Sequence, residues 1–290
     1  MRSLGEVLKM ATQFLSEKRV EAPRFSAERL LAHALGIQRV DLYLKFDSPL
    51  VEKELASFRE LIRRRATGEP VDYILGSSDF LGCRLRLTPE VLIPRPETEV
   101  WLEEAIRSIP HEAEAPIAAP IAAWDLATGA GAIAIALKRY RPHLAVTASD
   151  ISSAALALAR ENAASAGVEI ELLEGDLLAP FAGRKAHLFF CNPPYIAERD
   201  QSSLSKEVSC FEPARALFGG EDGLFFYRRL AEELPPCLYD KAKIFLEIGS
   251  GQGGDVKKIF SSSCWSCHRV DLDWAGHERL LFLEFSSAAR

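Results

Sequence analysis

No apolar run in the 290 residues approaches the roughly 20 that a bilayer-crossing helix needs, so no membrane span is expected. A signal peptide is not expected either. Glu6, Lys9, Glu17 and Lys18 interrupt the first twenty residues, which read as an amphipathic helix of a cytoplasmic protein. Cysteine is sparse and irregularly spaced: six residues, with no pattern of a disulfide framework. Cys264-Trp265-Ser266-Cys267-His268 matches a haem-attachment or zinc pattern. Haem attachment needs export, zinc needs a second ligand pair, and neither condition is met, so no metal is expected. Positive charge is scarce where a nucleic-acid enzyme would need it. Residues 1–90 carry 15 basic and 13 acidic side chains, whereas residues 91–290 carry 20 and 28, a net of -8. Phosphate-backbone affinity is mostly electrostatic, so direct nucleic-acid binding is not expected. The one basic run, Arg63-Arg64-Arg65, reads as the solvated last turn of a helix.

What is present is a globular composition, 48% hydrophobic and 26% charged, in a chain long enough for two domains. Residues 1–68 carry helical periodicity. Leu4, Val7, Leu8, Ala11, Phe14 and Leu15 share one face and are expected in the core, Ser26 is a candidate N-cap and Gly36 a stop, and 52–66 forms a further amphipathic helix. This segment reads as a helical docking domain. Residues 69–95 read as connecting strands and a hairpin: 71–76, then 80–87, then 91–94. Pro96 opens a helix to about Ile109, and the low-complexity stretch 112–123 reads as a surface connector. From Ala122 onward strand and helix alternate, with helices at 132–140, 154–166, 224–239 and 253–260. That alternation predicts an α/β domain over 96–290 with a parallel sheet covered on both faces. The short link at 274–278 makes the last strand antiparallel to its neighbours.

The chemistry-bearing residues fall at predicted strand ends, where open parallel sheets bind ligands. The first strand runs into Ala127-Thr128-Gly129-Ala130-Gly131, whose small residues let backbone approach a ligand. The third glycine of a dinucleotide loop is absent. The second strand ends in Asp150, 21 residues after Gly129, suited to the hydroxyls of a ribose or to capping the next helix. The third ends in Asp176-Leu177, an acid and an apolar side chain suited to an adenine. The fourth ends in Asn192-Pro193-Pro194-Tyr195. Two prolines stiffen that loop and hold the Asn192 amide, nearby carbonyls and the Tyr195 ring at the same edge. Rigid oxygen acceptors can grip a planar NH2 group and aim its lone pair at a sulfonium methyl. As the nitrogen attacks, its hydrogens become more positive, so the acceptors favour the transition state.

Together these residues resemble the N5-glutamine methyltransferases of peptide chain release factors. The matching segments are 69–76, 91–99, 125–131, 192–196, Glu212-Pro213, 219–224, 246–249 and Gln252-Gly253, nearly the whole chain. The resemblance implies a seven-stranded, Rossmann-like class I methyltransferase sheet behind a small N-terminal helical domain. It also implies the cofactor S-adenosyl-L-methionine, and as substrate the glutamine of a Gly-Gly-Gln loop in class 1 release factors. A monomer is expected. Ala127, Thr128, Gly129, Ala130, Gly131, Asp150, Asp176, Leu177 and Asn192 would bind the cofactor. Asn192, Pro193, Pro194 and Tyr195 would form the catalytic amide pocket, with Arg95 and Thr98 close by. Alternatives are a ribosomal-protein glutamine, an adenine or cytosine amino group, or a binding module without catalysis. The family loop is usually Gly-Thr-Gly-Ser-Gly. Here Ala127 calls for ordinary backbone angles, and Ala130 lacks a hydroxyl.

Overall fold

The computed structural model describes residues 2–110 and 120–287, without the Cys267 side chain. Most of the connector expected at 112–123, and one half of the Cys264–Cys267 pattern, therefore lie outside the described residues. The chain forms two compact units: Met1–Ser77 with Ser205–Phe211, and Ser78–Leu204 with Glu212–Arg290.

The first unit contains α1 (Leu4–Glu17), α2 (Pro23–Leu35), α3 (Asp41–Leu44), α4 (Glu52–Ala66) and α5 (Val71–Leu75). Ser3 and Glu6 cap α1 reciprocally through each other's backbone N–H. Leu4, Leu8 and Leu15 bury against Leu30 and Leu31 of α2 and Phe58 and Ile62 of α4. Phe14, expected in this core, is 37% exposed at the edge of the stripe, with the Lys18 ammonium over its ring. The expected N-cap Ser26 lies inside α2, because Pro23 starts the helix one turn earlier; its hydroxyl accepts from Arg65 instead. Gly36 ends α2 in the left-handed region as expected. Residues 71–75 are helical, not the expected strand. Pro70 sets the entry and Gly76, at φ 68°, the exit.

From Ser77, the last residue of this stretch of the first unit, the chain runs through β1 (Ser77–Phe80), β2 (Cys83–Arg86), α6 (Pro96–Ser108), β3 (Ala122–Leu126), α7 (Ala132–Tyr140), β4 (Ala145–Asp150), α8 (Ser153–Ala166), β5 (Glu171–Glu174) and β6 (Ala186–Cys191). Next comes α9 (Lys206–Phe211), which belongs to the first unit. The chain then continues through α10 (Phe225–Glu233), β7 (Leu238–Glu247), α11 (Gly253–Ile259), β8 (Trp265–Leu272) and β9 (Glu278–Phe285). The expected 224–239 helix stops at Glu233, since Pro235 and Pro236 cannot continue it.

Seven strands form one sheet in the order β5-β4-β3-β6-β7-β9-β8. The first five are parallel, and β9 runs antiparallel to both β7 and β8, as the short 273–277 link requires. Alternation along β6 sends Phe189 and Cys191 into one core with α10 and α11. Leu188 and Phe190 enter the other, with α6 and α7. Strand order reverses between β3 and β6, so the carboxyl ends of β3 to β6 border a crevice on one edge.

The arginine run ends α4, and its members differ: Arg63 is exposed and Arg64 half-buried. Arg64 pairs with Glu69, and Arg65 is buried. The Arg65 guanidinium pairs with Glu207 of α9 and donates to Ser26 Oγ and the Glu69 and Glu21 carbonyls. A buried charge tolerates loss of its partner poorly. Glu207→Ala should therefore destabilise the first unit by about 3 kcal/mol in denaturant melts. Glu207→Asp should recover part of that loss.

Candidate active site

A cleft of about 500 Å³ opens at the ends of β3 to β6. Of the residues expected to bind, Ala127, Gly129, Asp150, Asp176, Leu177, Asn192 and Pro194 line it. Thr128, Ala130, Gly131, Pro193, Tyr195, Arg95 and Thr98 do not line it. A larger groove of about 820 Å³ lies in the first unit between α1 and α4. Its lining is apolar with arginines at the rim, and it carries no cluster suited to group transfer.

The loop after β3 takes its shape from three left-handed residues: Ala127 at φ 54°, Gly129 at φ 55° and Gly131 at φ 86°. Ala127 thus departs from the ordinary angles expected of alanine, and holds a conformation that costs about 1 kcal/mol or more. Gly131 caps α7 so close to α8 that an added Cβ would sit 3.2 Å from that of Ala159. Thr128 donates from its hydroxyl to Asp125 Oδ2 at 2.6 Å, and Ala134 N–H donates to the same oxygen at 3.1 Å. Burial raises the Asp125 carboxyl to about 7 against those two bonds, with Asp150 adding repulsion. Its Oδ1 has no hydrogen bond among the described residues.

Asp150 is a cross-brace as well as a wall. Its Oδ2 accepts from Gly129 N–H and its Oδ1 from Ser152 N–H, both at 2.9 Å. Ser152, not Asp150, caps α8, accepting from Ala155 N–H. Each carboxylate oxygen keeps a further lone pair for a donor such as a hydroxyl. At the end of β5 the Asp176 carboxylate is held by Arg229 of α10 at 2.8 and 3.0 Å. Leu177 stands beside it at φ 44°, and Phe225 and Phe226 face the same space. An acid, an apolar side chain and two rings bordering one slot suit a flat heterocycle with an exocyclic amine.

Asn192 follows β6 directly, and its Nδ2 donates to Thr98 Oγ1 at 3.4 Å. Thr98 donates to Glu247 Oε2 at 2.5 Å, Trp101 Nε1 reaches the same oxygen at 2.9 Å, and Tyr195 hydroxyl reaches Oε1 at 3.4 Å. Glu247 is 1% exposed, and burial raises its carboxyl pKa against the bonds from Thr98 and Trp101. Burial, aided by Glu247, also raises the Tyr195 phenol, so its hydroxyl stays protonated and is no base. Behind the loop, Gln252 Nε2 donates to the Tyr195 carbonyl at 2.9 Å and Gly219 N–H to that of Ile196 at 2.9 Å. A Cβ at Gly223, where φ is 78°, would fall on the Tyr195 carbonyl. Arg95 reaches Glu212 Oε1 at 2.6 Å, and Ile93 N–H reaches its Oε2 at 3.3 Å.

Glu247, Gln252, Glu212 and Arg229 were not foreseen as site residues. The first three lie in segments that match the family, where the sequence assigns them no task. Arg229 reads only as part of an amphipathic helix.

Known proteins resemble this chain. The PrmC N-terminal domain model matches residues 6–76, and the Methyltransferase small domain model matches residues 116–218. The release factor glutamine methyltransferase of Geobacter sulfurreducens is 42% identical over 259 residues, covering 89% of this chain and 88% of its own. That of Bacillus cereus is 39% identical, covering 96% and 98%. A methyltransferase structure from Pyrococcus furiosus shares the fold, with a TM-score of 0.52 at 17% identity over 70% of this chain and 89% of its own. On identity sustained over nearly its full length, the chain belongs to the release factor glutamine methyltransferase family.

Proposed function

We propose that this protein transfers a methyl group from S-adenosyl-L-methionine to the side-chain amide nitrogen of a glutamine. The substrate is the Gly-Gly-Gln loop of class 1 peptide chain release factors, met by a cytoplasmic monomer. Asn192 carries the reading: its amide stands at a strand end on the wall of a cleft that Asp150 and Asp176 also border. The donor supplies an electrophilic methyl on sulfur. Asp150 offers lone pairs to ribose hydroxyls, and Asp176 with Leu177 and the phenylalanines takes the adenine end. The small Ala127 and Gly129 leave room for the donor's chain.

An amide nitrogen is a poor nucleophile because its lone pair is delocalised. Asn192 Oδ1 and a carbonyl of the Asn192–Pro194 stretch accept its two N–H groups and turn the lone pair toward the methyl. The next two carbonyls, of Tyr195 and Ile196, are already taken by Gln252 and Gly219. Positive charge builds on the nitrogen during attack, so both acceptors bind more tightly as the barrier is climbed. The Tyr195 ring packs on the flat amide and keeps water away. A side-chain base is not needed, since the proton leaves after the nitrogen becomes cationic. The net of -8 over residues 91–290 disfavours a nucleic-acid substrate, which would also have to be flipped out of its stack.

The test is incubation with labelled donor and purified release factor, ribosomal protein or DNA, followed by mapping of the label. Label on the release-factor glutamine is expected; label only on DNA would overturn the reading. Asn192→Ala should cut turnover by about 100-fold or more while calorimetry finds donor affinity nearly unchanged. Ala127→Gly should relieve the left-handed alanine and leave the protein equally stable or more stable, by up to about 1 kcal/mol in thermal melts, with donor binding intact.

A further inference from the structure

An asparagine can present either its oxygen or its NH2 to a substrate, and the two faces have nearly the same shape. Only the oxygen can hold an amide N–H. A site built on Asn192 therefore needs something to decide which way that side chain faces.

The decision can be traced through four side chains. The Trp101 indole N–H is a donor and nothing else. It points at Glu247 Oε2 at 2.9 Å, so that atom must be an acceptor. Thr98 Oγ1 lies 2.5 Å from the same oxygen, so its single proton is committed there. Toward Asn192 the Thr98 hydroxyl then offers only lone pairs. Asn192 answers with Nδ2, at 3.4 Å, which turns Oδ1 away from Thr98. The flipped amide would set Oδ1 against a lone pair. The chain of donors survives protonation of Glu247 on Oε1, because Trp101 still requires an acceptor at Oε2. Glu247 is 1% exposed, so water does not compete for these atoms.

We propose that Glu247 is a positioning residue: read by Trp101 and relayed by Thr98, it fixes the polarity of the Asn192 amide so that the oxygen serves the substrate. This rests on Asn192 holding the glutamine amide. Glu247 touches neither substrate nor donor. What counts at position 247 is a fixed acceptor facing Thr98, not negative charge.

Single-turnover methyl transfer and donor affinity test this. Thr98→Val should slow transfer on the order of 100-fold with donor affinity held, and Thr98→Ser should restore most of the rate. Glu247→Gln alone should cost only about threefold, because Trp101 keeps the new amide's oxygen toward Thr98. Trp101→Phe alone should cost about as little, since a carboxylate accepts at either oxygen. The two together free the glutamine amide to turn over, and should slow transfer far more than the product of the single effects. Added to Asn192→Ala, Thr98→Val should cost almost nothing further. A Thr98→Val enzyme as fast as wild type, a strictly multiplicative Trp101/Glu247 pair, or a full Thr98→Val loss on top of Asn192→Ala would each overturn the inference. Full activity in Asn192→Ala itself would instead remove the amide-holding reading, and the polarity argument with it.

Discussion

A carboxylate taken out of water must be given donors, and at Glu247 they come from two separate parts of the chain. Thr98 and Trp101 come from α6, and Tyr195 comes from the loop after β6. Glu247 itself ends β7, beside β6 in the sheet. One buried acid thus locks a helix, a strand end and the Asn192–Tyr195 loop into a single arrangement. The Tyr227 hydroxyl adds a bond from α10 to the Glu247 carbonyl at 2.8 Å. The prolines stiffen the loop along its length, and Glu247 ties it to the framework.

The opposite wall of the cleft is shaped by backbone more than by side chains. Ala127 and Leu177 are non-glycine residues at positive φ, and both border the cleft. Such conformations persist where the surroundings over-determine them. Ala127 precedes a residue held by Asp125, and Leu177 follows one held by Arg229. Those hydrogen bonds hold the turns where Ala127 and Leu177 border the cleft. The Asp150 carboxylate contributes twice, joining the loop after β3 to the start of α8 while still facing the cleft.

Much of this was legible because the relevant signals are local. Strand, glycine loop and strand-end acid recur in order, and a parallel sheet brings them to one edge whatever the lengths between. The Asn192–Tyr195 motif is contiguous, so its placement follows from that of β6. What could not be read depends on pairs far apart in the chain. Thr98 and Glu247 are separated by 149 positions, and nothing in either neighbourhood marks the other. The same holds for Arg229 with Asp176, and for Arg65 with Glu207. Residues 71–75 were misread because their valine, tyrosine and isoleucine favour strands, whereas Pro70 and Gly76 frame one helical turn. The overlong 224–239 helix ignored a visible signal, the paired prolines at 235 and 236.

The pairing of Arg65 with Glu207 bears on the order in which the protein can mature. The helices of the first unit precede the sheet in the chain, yet Glu207, the carboxylate that pairs with the buried Arg65 guanidinium, is synthesised some 140 positions after it. Before then the end of α4 carries a cation that resists leaving water. The contact that neutralises it needs a piece of chain made only after β3 to β6. Completion of the amino-terminal unit thus draws on chain made within the stretch that builds the second.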